Sequence, residues 1–446
     1  MHALTNPGTW FLVAVTVWLA AGVVLQHRSP VGHWYLVGYP VTWARIKWTW
    51  RPLAIERNLS LSRTGGRAMV GDLMVRGQDM RPVVPRIWIS RPRRDGLTVR
   101  IRMLPGQTPE QYAQASEAIM HAWRVQQVRV TSPSRGIVVI TAMTTDPLAG
   151  VITRDPAAGP VPADNTGDRP VLALLVGITE AGKSWIMNLR LVPHWLIIGA
   201  TRSGKSTLIH AMVTRLAPHA VALVGVDLKG GLELSVYAPR LSGLATTREE
   251  AAEVFSALLD EVMDRMNTCR VAGVRAVWEL PYPVVPIIIL IDEIAELFLL
   301  TNPKDREEIA LRDRVVTTLL RLAQLGAALD VHVIAGGQRF GSELGPLATA
   351  LRAGLSGRIC MHVNDPESAV MVLGDVWPEA VSQAQRITAS ERGVAVTADG
   401  LGSWTRARAT LTNPAEAAAA ARLHASLTPV LAGIARPEVV GGGGGE

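Results

Sequence analysis

Residues Trp195–Thr207 read WLIIGATRSGKST. A short apolar run ends in Gly199, Ala200, Thr201, Arg202, Ser203, Gly204, Lys205 and Ser206, and the helix-compatible segment Thr207–Leu216 comes next. This is G-x-x-x-x-G-K-[ST] between a strand and a helix, the arrangement of a phosphate-cradling loop. Its glycines let the backbone curl, so that successive N–H groups and the helix start point at one anion. Lys205 then reaches the outer phosphates of ATP, and the Ser206 hydroxyl holds Mg²⁺. The residues expected to bind nucleotide are therefore 199–207.

The same pattern occurs earlier as Gly177-Ile-Thr-Glu-Ala-Gly182-Lys183-Ser184. There the next residues, SWIMNLRLVP, alternate at period two and reach Pro193, which reads as a strand. Without a helix behind it the loop has no N-terminal dipole, so this copy is a hairpin turn. Downstream, Pro286–Glu293 is an apolar run ending in two acids. Such a run suits a strand buried on both faces of a parallel sheet. At its tip Asp292 is placed for the water shell of Mg²⁺. Glu293 is placed to polarise an attacking water. Alone, the run is also what any strand entering a solvated loop looks like.

Two lone cysteines, Cys269 and Cys360, exclude a disulfide scaffold and a CxxC metal site. Residues 1–146 hold 18 Lys+Arg against 7 Asp+Glu, net +11, so the rest of a +7 chain is net −4. The basic third calls for an anionic neighbour, phospholipid or nucleic acid. From Ala3 to Gln26 there is no charged side chain, and a span is expected over residues 9–26. Arg28, Arg45, Lys47 and Arg51 lie just beyond it, which puts the C-terminal side in the cytoplasm. The Trp-rich stretch 32–52, broken by Gly38 and Pro40, reads as an interfacial belt, with a second span as the alternative.

The expected organisation is an anchor (1–58), a small basic α/β domain (59–146), a Pro/Gly/Asp-rich linker (147–170), a motor (171–412), and a C-terminal helix with a disordered Gly tail (413–446). In the small domain Thr108-Pro-Glu-Gln111 caps a helix running to Trp123. Arg91, Arg93 and Arg94 form a solvated tip. In the motor, strand and helix signals alternate as in a doubly wound sheet.

Taken together, Pro193–Ser206, Val226-Asp227-Leu-Lys229-Gly-Gly-Leu-Glu233, Leu290–Glu293 and Ala323-Gln-Leu-Gly with Gln338-Arg339 resemble the FtsK/SpoIIIE family of membrane-anchored DNA-pumping ATPases, in particular its actinomycete plasmid-transfer members. The resemblance implies an α/β fold: a P-loop motor of the RecA-like, HerA–FtsK type behind a small α/β domain and a transmembrane anchor. It further implies a homo-hexameric ring at the cell membrane that threads double-stranded DNA. Gln338 would sense the γ-phosphate, and Arg358, or Arg352, would be the arginine finger reaching a neighbouring subunit. Asp227 and Lys229 would couple hydrolysis to DNA or form a local salt bridge. The chain departs from the pattern at Arg202 (Gly in the wider family), at Gly326-Ala-Ala-Leu, which lacks the usual arginine, and at Gly336-Gly337 (Ala-Thr). The segment after residue 412 is too short for the family's winged-helix module. Alternatives from other classes are a type VII-like protein-secretion motor and a membrane-tethered nucleotide switch that does not turn over.

Overall fold

A computed structural model describes residues 28–62, 82–94, 96–146, 148–152, 172–374, 378–399 and 402–438. They fall into two compact units that divide at Pro147/Leu148. The span expected at 9–26 and the Gly-rich tail from 439 lie outside the described residues. Among the described residues no helix is long and apolar enough to cross a membrane.

In the N-terminal unit an antiparallel sheet runs in the order Arg86–Ile89, Gly96–Arg102, Ile137–Met143, Gln127–Ser134. The helix expected from Pro109 to Trp123 is two helices, Pro109–Gln114 and Ser116–Trp123, entered through a Thr108/Gln111 capping box. The Trp-rich stretch is helical, a π turn at Trp34–Gly38 running into Tyr39–Glu56. It does not stand apart from the domain. Ile46, Trp50 and Leu53 share one core with Val99, Ile101, Ile119, Trp123 and Ile140. The indole N–H groups of Trp34 and Trp50 donate to the carbonyls of Arg93 and Pro85. Buried indoles are held where their polar edge finds an acceptor, so the aromatic residues of this stretch split between a core side and an exposed side that carries Trp43 and Trp48.

The second unit is built on one ten-stranded sheet. Six strands are parallel, in the order Leu241–Ala245, Ala222–Val226, Ile287–Ile291, Val331–Gly337, His194–Ile198, Gly357–Cys360. Four antiparallel strands, Val394–Ala398, Trp404–Ala409, Ala173–Thr179 and Ser184–Asn188, extend it. The last two are the expected hairpin, with Gly182 at φ +70° in its turn. The inner strands read as unbroken apolar runs because both faces are covered. Ile287, Ile289 and Ile291 pack toward the helices Arg248–Ala272 and Arg306–Leu325, while Ile288 and Leu290 pack toward Lys205–Leu216. Leu148 is fully buried in the first of these cores, so the segment expected as linker starts as part of the motor.

The edge of the sheet opposite the site is held by ionic groups. Arg265 bonds the carbonyls of Leu329 and Val285, the residues leading into two of the central strands. Asp330, at φ +57°, pairs with Arg190 at 3.3 Å and bonds His332 at 3.1 Å. Removing one partner of a buried pair leaves an uncompensated charge, which costs about 3–5 kcal/mol. Asp330→Ala is therefore expected to lower the unfolding free energy by that amount, seen as a lower urea midpoint at an unchanged m-value, measured on the intact chain by circular dichroism.

Candidate active site

The ends of three neighbouring parallel strands bring the site together. Ligands bind beyond the carboxyl ends of strands in open α/β sheets, and here those ends carry Gly199, Gln338 and Asp292-Glu293. The phosphate-loop strand and the acid strand are not adjacent, because Val331–Gly337 lies between them. Lys205 crosses that strand. Its Nζ donates to the Asp292 carbonyl at 2.7 Å and lies 3.5 Å from Asp292 Oδ1 and 3.9 Å from Glu293 Oε2. The crossing runs over Gly336, where a Cβ would sit 2.5 Å from the Asp292 carbonyl oxygen and 3.3 Å from Lys205 Cδ. At Gly337 a Cβ would come within 3.1 Å of Glu293 Oε1. The two glycines that depart from the family pattern thus fit the close approach of lysine and acids.

The loop itself is curled as the motif requires. Arg202 takes φ +66° and Gly204 φ +109°. The N–H of Ser203 bonds back to the Ala200 carbonyl, and the loop is pinned by Gly199 N–H to Gly337 and Ala200 N–H to His362. Gly204 lies against Gly393, whose N–H donates to the Ser203 carbonyl. The N–H groups of Gly204, Lys205 and Ser206 have no acceptor among the described residues, so they are free for an anion. Together these residues line a cavity of about 580 Å³.

Glu293 is the most perturbed group there. Burial pushes its carboxyl above the ordinary 4.5, and Asp292 adds to the rise; Lys205, the Gln338 N–H and Lys229 pull against it. Oε1 accepts from the Gln338 backbone at 3.2 Å, while Oε2 is buried with no hydrogen-bond partner and lies 3.7 Å from Lys229 Nζ. A buried carboxylate oxygen without a donor is poised to take one from water.

The loop 227–234 carries both Asp227 and Lys229. Asp227 takes no salt bridge from Lys229. Its carboxylate accepts the backbone N–H groups of Lys229, Glu233 and Leu234, at 3.2, 2.8 and 3.2 Å. This turn presents Lys229 to Glu293 and Glu233 to the Ser206 hydroxyl, 3.4 Å away. Ser206, Asp292 and Glu233 form a set of oxygen donors on one wall, a composition that fits Mg²⁺. Gln338 also lines the cavity. Arg358 does not: its guanidinium is turned under the helix Pro346–Gly354 and donates to the Arg352 carbonyl, and burial with the charge of Arg352 lowers its pKa to about 10. Lys183 of the rejected copy sits in the hairpin turn, its N–H on the Thr179 hydroxyl.

The opposite wall escaped sequence reasoning. Arg392, Gly393, Arg408 and Leu411 line it together with Val151 and Ile152. Arg408 bonds the carbonyls of Leu148 and Arg392, and the Leu411 N–H bonds Ile152, so the start of the linker closes the cavity. The Arg-Gly step before the strand Val394–Ala398 was the one local signal of this wall.

The N-terminal unit, over residues 20–144, matches the actinomycete conjugal transfer protein N-terminal domain, and residues 159–282 match the FtsK/SpoIIIE family. The transfer protein TraSA of Streptomyces ambofaciens is 39% identical over 358 residues, covering 77% of this chain and 83% of that protein. The chain belongs to the actinomycete conjugal transfer branch of the FtsK/SpoIIIE family. It is an ATPase. A sporulation regulatory protein of Streptomyces azureus is 45% identical over 246 residues, covering 55% of this chain and 80% of the relative. The pCW3 conjugation coupling protein TcpA, solved as a monomer with ATPγS, shares the fold at a TM-score of 0.52 and 20% identity, over 75% of this chain and 92% of its own.

A buried base gives a pH test. With Glu293 as the base, turnover would require its ionised form, and activity is expected to fall as pH drops through a value above the ordinary carboxylate range. Lys229 opposes the upward shift, so Lys229→Met is expected to move the acid limb of kcat to higher pH and Lys229→Arg to leave it in place, read from pH–rate profiles at saturating ATP.

Proposed function

We propose that the chain is a membrane-anchored motor that hydrolyses ATP to move double-stranded DNA from cell to cell, working as a ring of six copies with the motor in the cytoplasm. The observation that carries the ATP chemistry is the cavity where free loop N–H groups, Lys205, Ser206 and Asp292 converge, with Glu293 beside it in ion-pair reach of Lys205 and Lys229. The cargo reading rests on family membership. The DNA translocase SpoIIIE of Bacillus subtilis is 26% identical over 233 residues, 46% of this chain and 27% of that protein.

In this reading the triphosphate lies on the loop, with Lys205 leaving the Asp292 carbonyl to neutralise the β- and γ-phosphates. Ser206 and Asp292 would hold Mg²⁺, which would supply charge neutralisation there. Glu293 takes a proton from a water aligned on the γ-phosphorus, the P–O bond to ADP breaks, and the proton leaves with the products. Gln338 positions that water or the transferred group. Positioning and fixed charge supply most of the acceleration in such reactions. Arg352, half-exposed at the end of its helix, and Arg358, which braces it, would together form the edge that reaches a neighbouring subunit.

The test is ATP turnover of the full chain with and without duplex DNA. Stimulation by duplex is expected, and equal rates would remove DNA as the cargo. Glu293→Gln should bind ATP as tightly as the parent and lose about 10²–10⁴ in kcat. Lys205→Ala should lose nucleotide binding itself, read by fluorescent-ATP titration.

A further inference from the structure

Among the described residues, helices cover one face of the N-terminal unit's sheet. Ile87, Ile89, Val99, Ile101, Val138 and Ile140 face the helices. Strand alternation sends their neighbours to the other face, and these include Arg86 and Trp88 on one strand with Arg100 and Arg102 on the next. Arg86 stands directly across from Arg102, and Trp88 across from Arg100. All four are exposed, Trp88 by 52%. With Arg135 they line a groove of about 1190 Å³. Like charges directly opposed in a sheet destabilise it, and none of these guanidinium groups has an acidic partner among the described residues. Such an arrangement is poor as a fold and good as an anion site.

We infer that this face binds single-stranded nucleic acid, the arginines taking backbone phosphates and Trp88 stacking on a base. Backbone phosphates recur at a spacing that neighbouring strand positions can follow, and an indole lying among cations is the platform that single strands use. A lipid surface fits less well. Most of the large exposed apolar residues of this unit, among them Leu36, Trp43 and Trp48, belong to the helix layer, Trp48 being 81% exposed; on the strand side only Val83 and Trp88 are exposed among the described residues. That layer covers the sheet's other face, so a bilayer lying on those tryptophans is out of reach of the arginine face. The choice of DNA over another polyanion rests on the motor reading above; the face itself does not.

The test uses the full chain without ATP and a fluorescein-labelled dT20, titrated over a range of salt. Arg100→Glu/Arg102→Glu is expected to weaken binding at least tenfold and to flatten the salt dependence by about 1.4 in the log–log slope, for two phosphate contacts on a single strand. Trp88→Ala is expected to weaken binding about 5- to 100-fold with the slope unchanged. A 5-iodouracil oligonucleotide should crosslink to the peptide that contains Trp88. Both sites are exposed, and an unchanged circular dichroism spectrum and thermal melt of the full chain report that the variants are folded. The inference is overturned if both variants bind dT20 as the parent does. It is equally overturned if they lose only binding to phosphatidylglycerol vesicles, or if duplex competes as well as dT20 and Trp88→Ala has no effect. Duplex-stimulated turnover reads the motor separately. Were it absent while dT20 binding still depended on the arginines, the motor reading would fail and this one would stand.

Discussion

Lys205 reaching the Asp292 carbonyl across a third strand is the contact on which the site depends. The loop that holds phosphate and the acids that activate water sit on strands separated by Val331–Gly337. An ordinary residue at 336 would place its Cβ 2.5 Å from that carbonyl, closer than packed atoms come. With glycine there, one side chain ties nucleotide loop and acid strand together, and any shift of either strand changes the distance from Lys205 to both carboxylates.

The charge balance around Glu293 arises from that geometry. A carboxylate this deeply buried would be neutral without nearby cations. Two lysines arriving from different elements keep the ionised form accessible while burial holds its basicity up. Lys229 is there only because Asp227 gathers three backbone N–H groups and folds its loop inward. Asp227 thus shapes the loop that brings Lys229 beside Glu293.

The two units use opposite solutions to the same problem. In the motor every central strand is covered on both faces, and function sits at the strand ends, where backbone turns outward. In the N-terminal unit one face of the sheet is left to charged and aromatic side chains, and the fold tolerates opposed arginines there. A tip and a face are different kinds of surface: the first closes around a compact group, and the second tracks an extended one.

How much of this was legible depends on whether a signal was local. The phosphate loop, the twin acids, the hairpin copy and the helix cap at Thr108 each sit within a few residues of chain, and their geometry is dictated by nearest-neighbour backbone chemistry. The sequence by itself therefore determined the fold class and where the nucleotide loop and the twin acids stand. Tertiary structure alone decided which strand lies between loop and acids, that Lys229 faces Glu293, that Arg358 is turned under a helix, and that Val151 and Ile152 close the cavity. These are contacts between residues far apart in the chain. They depend on strand order and on which face each side chain meets, and neither is written in any local pattern.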